Sequence, residues 1–190
     1  MGQIAPGFVG TTGAGRPTGL VKGFSGCRHG ACTRGGEKTG PNPTDRRKSG
    51  SKRHLVVERQ GIPLVIRHTG AHRNETTMLE EMVDAIPAVR QKHGRPRKRP
   101  DKLHADKGYD SLKNRRFLRR RNILPRIARR RIDSSERLGR HRWVVERTLA
   151  WLNRFRRLKV RYERRADIHQ AFLTLSCALI CWNFINNRFC

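Results

Sequence analysis

Residues 54–128 alternate short β-branched runs with segments of helical periodicity, and this alternation limits the folds open to the chain. "HLVVERQGIPLVIRHTG" holds two apolar runs separated by Gln60 and Gly61, the signature of a β-hairpin. Residues 76–90 then place apolar side chains at helical spacing, and Pro87 should end or kink that helix. Strands followed by a helix predict a sheet covered by helices.

The next segment continues the alternation. "KLHAD" is typical of a buried strand that stops at Asp106, and "LKNRRFLRRRN" predicts a helix capped by Asp110 or Ser111. "ILPRIA" predicts one more short strand. The whole stretch therefore predicts an α/β fold, in which an acid at the carboxyl end of a strand can line a site.

Asp106 and Glu146 are the candidate site acids. Glu146 lies 40 residues after Asp106, inside the helical pattern "RHRWVVERTLAWLNRFRRL". At about 100° per residue, Glu146 shares a polar strip with Arg142, Asn153 and Arg157. Carboxylates can hold Mg²⁺. By position alone, however, an exposed ion pair between Glu146 and Arg142 is the favoured interpretation.

The charge of the chain indicates a polyanionic partner. Lys and Arg total 43 against 15 Asp and Glu, which gives a formal net charge of +28. This is the electrostatic footprint of a protein that neutralises phosphates. The basic loop "RQKHGRPRKRP" suits the same contact. On composition alone, a structural RNA binder of the ribosomal type stays open.

Residues 1–50 differ from the remainder of the chain. They are dense in Gly, Pro, Thr and basic residues and have almost no periodicity, so we expect a largely disordered segment ahead of a folded domain at residues 51–190. A flexible basic arm on DNA and a terminus without a role are both open interpretations. The segment has no continuous apolar run of the kind found in a signal peptide.

The cysteines favour a reducing compartment. There are five, with no close CxxC pair and no matching His spacing, which argues against a disulfide framework and a structural zinc site. We therefore expect a cytoplasmic protein.

The last helix is predicted to begin near Asp167 and to be a core element. The apolar stretch at residues 171–185 is interrupted by polar residues and is too short to span a bilayer. The side chains expected on its buried face are Ile168, Ala171, Phe172, Leu175, Leu179 and Trp182.

Several long motifs resemble one enzyme family. "GPNPTDRRKSGSKRHLVV", "HADKGYD", "GRHRWVVERTLAWLNRFRRLKVRYERRADIHQAF" and "LSCALICWNF" are similar to the catalytic half of bacterial insertion-sequence transposases of the DDE class, in the insertion sequence five branch. The similarity covers residues 35–187. It implies a ribonuclease-H-like catalytic domain, built as a mixed sheet flanked by helices. Such a domain cleaves double-stranded DNA at transposon ends and joins these ends to target DNA.

The resemblance also implies site residues, cofactors and partners. It assigns the second catalytic Asp to Asp106 and the catalytic Glu to Glu146, as ligands of two Mg²⁺ or Mn²⁺ ions. The implied partners are terminal inverted repeats and target DNA, bound by a homodimer on the bacterial nucleoid. The Arg side chains implied to contact DNA are Arg142, Arg147, Arg154, Arg156 and Arg157.

One family feature is missing. The first catalytic Asp of the family lies on the first strand, but no acid occurs here between Met1 and Arg34. Glu37 and Asp45 are the nearest acids, and both lie in Gly- and Pro-rich sequence. We therefore expect impaired cleavage, with a non-catalytic DNA-binding remnant as the alternative. A displaced reading frame and a programmed frameshift both explain the pattern.

Overall fold

A mixed sheet forms the centre of the computed structural model, which describes residues 18–24, 32, 35–43, 46–89, 95–129 and 139–186. For residues 18–24 and 139–142 it describes the backbone alone. The strand order is β2-β3-β1-β5-β6, with β4 also paired to β3. The strands in the described residues are β1 (Thr18–Phe24), β2 (Gly40–Pro41), β3 (Ser49–Val57), β4 (Pro63–Gly70), β5 (Lys102–Ala105) and β6 (Leu124–Ile127).

Helices cover both faces of this sheet. Short 3₁₀ turns at Glu75–Met78 and Lys107–Tyr109 precede α1 and α2 respectively. The α-helices in the described part of the chain are α1 (Leu79–Asp84), α2 (Leu112–Arg120), α3 (Gly139–Arg154), α4 (Arg156–Lys159) and α5 (Ala166–Ile185).

Strands β3 and β4 form the predicted hairpin. Leu55 pairs with Ile66 in antiparallel register, and the Glu58 N–H donates to the Ile62 carbonyl at 3.0 Å across the turn. Gly61 in this turn has a φ of 91°, a conformation that side chains disfavour. The prediction from the Gln60-Gly61 turn signal is therefore confirmed.

Strand β1 lies in the middle of the sheet, inside the segment expected to be largely disordered. It pairs antiparallel with β3, with Leu20 and Val57 in register, and parallel with β5, with Val21 and Ala105 in register. Residues 35–43 are also described, and they include β2. The structure thus differs from the expectation at these positions, while most of residues 1–34 lie outside the described residues.

Strands β5 and β6 and helix α2 follow their predictions. β5 is parallel to both β1 and β6, and it stops one residue before Asp106. Ser111, one of the two predicted caps, accepts a hydrogen bond from the Asn114 N–H at 3.1 Å at the start of α2. The predicted helix at residues 76–90 is shorter than expected, because α1 ends at Asp84, before Pro87.

Two apolar clusters lie on opposite faces of the sheet. Val56, Val65 and Leu103 pack against α1 and α2 on one face. Leu55, Val57 and Ile66 pack against α3 and α5 on the other. Alternation along β3 separates the clusters, since neighbouring side chains of a strand point to opposite faces. Because helices cover both faces, Leu55, Val56 and Val57 at the end of β3 are all fully buried.

The predicted helix around Glu146 is divided in two. α3 ends at Arg154, and Phe155 has extended backbone angles before α4 begins. Arg157 therefore belongs to α4 and does not continue the polar strip of α3, which corrects the angular prediction. Val145, Leu149 and Leu152 are buried, as the predicted apolar flank requires.

Helix α5 buries the opposite side from the one predicted. The buried side chains are Ala166, His169, Leu173, Ser176 and Ile180, whereas Ile168, Leu175, Leu179 and Trp182 are exposed. The prediction was wrong because α5 has two apolar stripes, and periodicity cannot tell which of them faces a sheet. By length and composition alone, α5 could also span a membrane, since it has 20 residues and one 18-residue window in it has a mean hydropathy of 1.5. The expectation that this apolar stretch is too short is therefore not met, although the core helix of a soluble protein can have the same length and composition.

Candidate active site and nucleic-acid surface

Asp106 lies directly after β5 and is half-buried. Its Oδ1 accepts a hydrogen bond from the Lys107 N–H at 2.8 Å, so it caps the 3₁₀ turn at Lys107–Tyr109. A carboxylate at the carboxyl end of a central parallel strand is well placed to line a site. The structure therefore puts Asp106 where the sequence predicted.

A buried polar chain lies behind Asp106. Tyr109 is fully buried, and its hydroxyl lies 3.4 Å from Nδ1 of His54, whose Nε2 lies 2.8 Å from the Thr69 hydroxyl. Burial raises the pKa of Tyr109, and the carboxylates of Glu75 and Asp106 raise it further. Burial, followed by the cations Lys52 and Arg73, lowers the pKa of His54 to about 3. Both side chains are therefore neutral at neutral pH.

Lys52 is a second polar group near this site that the sequence prediction missed. It is buried on β3, donates to the Arg73 carbonyl at 3.0 Å and lies 3.7 Å from Oε1 of Glu75. The signal was the polar run "SGSKRH" at the start of a strand, which continues directly into "LVV". Polar side chains buried on a strand need hydrogen-bonding or ionic partners, and Lys52 has them in the Arg73 carbonyl and Glu75.

Glu146 is exposed on α3. Two residues later, the Thr148 hydroxyl donates to the Gly61 carbonyl at 2.8 Å in the β3–β4 turn. That turn lies near the end of the sheet where β5 begins, since β3 is antiparallel to β1 and β5 is parallel to it. Asp106 follows the other end of β5. The structure thus anchors the Glu146 turn of α3 away from Asp106.

Arg147 is committed to contacts within the protein. Its guanidinium lies between two indole rings, 4.5 Å from the centroid of Trp143 and 4.8 Å from that of Trp151. It also donates a hydrogen bond to the Gln60 carbonyl. These contacts lock α3 to the hairpin, so Arg147 has less freedom to reach a phosphate than an exposed Arg.

The other predicted DNA-contacting Arg residues differ in exposure. Arg154 and Arg156 are exposed at the junction of α3 and α4. Arg157 is exposed as well, but it lies 3.6 Å from Glu163 and 5.7 Å from the ring centroid of Phe172. The backbone of Arg142 lies in α3, and its side chain is outside the described residues. The α3–α4 junction therefore presents the clearest basic surface among the predicted residues.

Comparison with known proteins identifies the family. Residues 21–182 match the family described as "Transposase DDE domain". A Burkholderia cepacia protein named "Putative transposase for insertion sequence element IS402" is 56% identical over 149 residues, which are 78% of this chain and 71% of that protein. The chain belongs to the transposase DDE domain family.

Transposase DDE domains generally use divalent metal ions and act on DNA. The side chains of this chain fit such ions only in part. Asp106 and Glu146 offer the oxygen ligands that Mg²⁺ prefers, but they lie on separate elements. β1, with the sequence TGLVKGF, carries no acid. Among the described residues, no three His, Cys, Asp or Glu side chains are grouped so as to hold a metal ion.

Proposed function

We propose that this chain is a DNA transposase domain of an insertion sequence that binds terminal-repeat and target DNA, and that its metal-dependent cleavage and strand transfer are impaired. The proposed impairment rests on one observation. The central strand β1 has no acidic residue, although it lies beside β5, the strand that Asp106 directly follows. Asp106 and Glu146 remain the proposed catalytic and metal-ligating residues. They constitute an incomplete ligand set, which holds metal ions poorly.

The DNA-binding part of the proposal is supported by charge and exposure. The chain has a formal net charge of +28, and Arg154 and Arg156 are exposed at the junction of α3 and α4. Guanidinium groups at such a surface bind phosphates in a salt-dependent and largely sequence-independent way. We assign phosphate contact to Arg142, Arg154, Arg156 and Arg157. We propose that Arg147 supports DNA binding indirectly, because its contacts fix the position of α3.

The fold supports a finer assignment. The mixed sheet, with helices on both faces, is consistent with a ribonuclease-H-like domain, and we propose that fold for residues 51–190 together with β1. We further propose placement in the insertion sequence five branch, function as a homodimer on DNA, and action at the bacterial nucleoid in the cytoplasm.

A second candidate function is a DNA binder without any cleavage activity. The anchoring of Thr148 to Gly61 favours it, because this contact holds the Glu146 turn of α3 away from Asp106. Such a protein would occupy transposon ends and compete with an intact transposase.

The test combines DNA binding with cleavage. The probes are a fluorescent duplex taken from the genomic flanks of the reading frame and a supercoiled plasmid, with Mg²⁺ or Mn²⁺. We expect salt-sensitive binding and plasmid nicking at least 100-fold slower than by the B. cepacia relative prepared in the same way. Asp106→Ala and Glu146→Ala should leave DNA affinity within twofold.

Four outcomes separate the proposals. Nicking as fast as that of the relative, abolished by both substitutions, contradicts impairment. Slow nicking that both substitutions abolish supports an impaired enzyme, whereas nicking no faster than in the protein-free control supports the non-catalytic binder. Equal affinity for RNA and DNA duplexes, with no dependence on the terminal-repeat sequence, contradicts both and favours a structural RNA binder.

A further inference from the structure

The exposed face of α5 is apolar over the full length of the helix. Trp182 is 58% exposed, Leu175 57% and Ile185 54%. A soluble chain normally covers a continuous apolar stripe of this kind, since exposed apolar patches mark interaction sites. The stripe lies opposite Leu173 and Ile180, which α5 buries against the sheet.

The stripe has the spacing of a coiled-coil seam. Its members recur at alternating intervals of three and four residues, which is the heptad pattern of two packed helices. They are all exposed, and they alternate large side chains with alanine over most of the helix: Ile168, Ala171, Leu175, Ala178, Trp182 and Ile185.

The seam is complementary to itself when a second copy runs antiparallel. A two-fold axis between residues 176 and 177 pairs Leu175 with the Ala178 position of the other copy, and it pairs Ala171 with the Trp182 position. Large side chains then meet alanine in four of the six layers, and Ile168 meets Ile185 at both ends. Packed helices favour this alternation of large and small side chains across facing positions. A parallel pair would instead stack Trp on Trp and Ala on Ala.

Charge also selects this face for self-association. The chain has 43 Lys and Arg in 190 residues, but none occurs in Ala166–Ile185. Two copies with a charge of +28 repel each other over most of their surfaces. Salt screens such repulsion beyond about 8–10 Å, so a helix without Lys or Arg is the surface on which two copies can approach.

We infer that α5 forms an antiparallel, two-fold symmetric helix pair with α5 of a second copy of this chain. The interface is isologous, because the same stripe serves both partners. It does not depend on DNA or on the proposed function. A single helix seam is smaller than a standard protein interface, so we expect a dissociation constant on the order of micromolar.

The test is sedimentation velocity of the full chain without DNA in 0.5 M NaCl, from 1 to 100 µM. The wild-type protein should convert from monomer to dimer across this range. Leu175→Ala opens a void against Ala178, and Ala178→Leu makes the introduced side chain clash with Leu175 of the other copy, so each should weaken association at least tenfold. Combining the two exchanges large and small partners across the axis and should restore dimerisation to within threefold. Leu112→Ala, on α2 and outside the seam, is the matched control.

The other occupants of the stripe give different results. A protein that is monomeric at 100 µM overturns the inference. If that monomer also floats with neutral phosphatidylcholine vesicles, the stripe binds a membrane instead. A monomer whose urea midpoint falls in Leu175→Ala indicates that another segment of the same chain covers the stripe. Dimerisation that the double variant fails to restore overturns the antiparallel register.

Discussion

Helices α3 and α5 pack on the same face of the sheet, but the surfaces that they expose to solvent differ in chemistry. Both contribute to one apolar cluster, through Leu149 and Leu152 from α3 and Leu173 from α5. Outward, α3 presents Glu146, Asn153 and Arg154, whereas α5 presents only apolar and uncharged polar side chains after Asp167. The inward faces of the two helices are both apolar. We therefore expect the outward faces to decide what each helix binds: DNA for α3 and a second copy of the chain for α5.

The largest expected effect separates the two sides of α5. Leu173→Ala should lower the free energy of unfolding by about 2–5 kcal/mol, because Leu173 is fully buried. Leu175→Ala should change it by less than about 0.5 kcal/mol, since that side chain is exposed. Urea unfolding at submicromolar protein, where the chain is monomeric, measures both. Equal losses would show that the outward stripe is covered within the monomer.

The second prediction concerns acid sensitivity on the inward side of α5. Burial lowers the pKa of His68 to about 4, while its hydrogen bond to Gln170 opposes this. Burial, with His68 and the cations Arg161 and Arg53, lowers the pKa of His169 to about 3. The carboxylate of Glu163, 3.5 Å away from His169 Nδ1, opposes this change, but burial outweighs it because the ring is almost fully enclosed.

The sign of the pH effect follows from these lowered values. The unfolded chain takes up protons first as the pH falls below about 6.5, so stability is complete above that pH and declines toward pH 4. Each buried His contributes about 1.4 kcal/mol per pH unit within the window. His169→Leu should reduce the slope of unfolding free energy against pH by about that amount. An unchanged slope would mean that His169 is protonated in the fold.

The third and smallest effect concerns the basic end of α3. Replacing both Arg154 and Arg156 by Gln should lower the slope of log affinity for DNA against log salt by about 1.8, or about 0.9 for each lost phosphate contact. Arg165→Gln is the control, since Arg165 is exposed but paired with Asp167 at the start of α5. Fluorescence anisotropy of a labelled duplex measures the slopes. A larger change in the control would place the DNA surface on α5.

Local signals predicted most of the fold between residues 54 and 128. The hairpin, the strand ending at Asp106 and the Ser111 cap are encoded in neighbouring residues, and the structure contains them. β1 was not predicted, because TGLVKGF lacks a strand pattern and is held by pairing with β3 and β5. Long-range pairing of this kind leaves little trace in a local window.

The candidate site was predicted only in part. Asp106 could be placed because it ends a strand, whereas the supporting Lys52, His54 and Tyr109 become neighbours only in the fold. The face of α5 could not be chosen from its sequence, since both stripes have helical periodicity. The helix break at Phe155, which places Arg157 on α4, could not be predicted either, because the angular calculation assumes one continuous helix.

One measurement separates the two outward faces directly. Sedimentation velocity of 20 µM protein with a fluorescent duplex, followed at the dye and protein wavelengths from 0.1 to 1 M NaCl, reports DNA release and dimer dissociation together. Phosphate contacts weaken steeply with salt, whereas apolar association does not. We predict that the DNA is released while the protein remains a dimer. Loss of the dimer at or below the salt concentration that releases DNA would contradict the claim that α3 binds DNA while α5 separately forms the dimer.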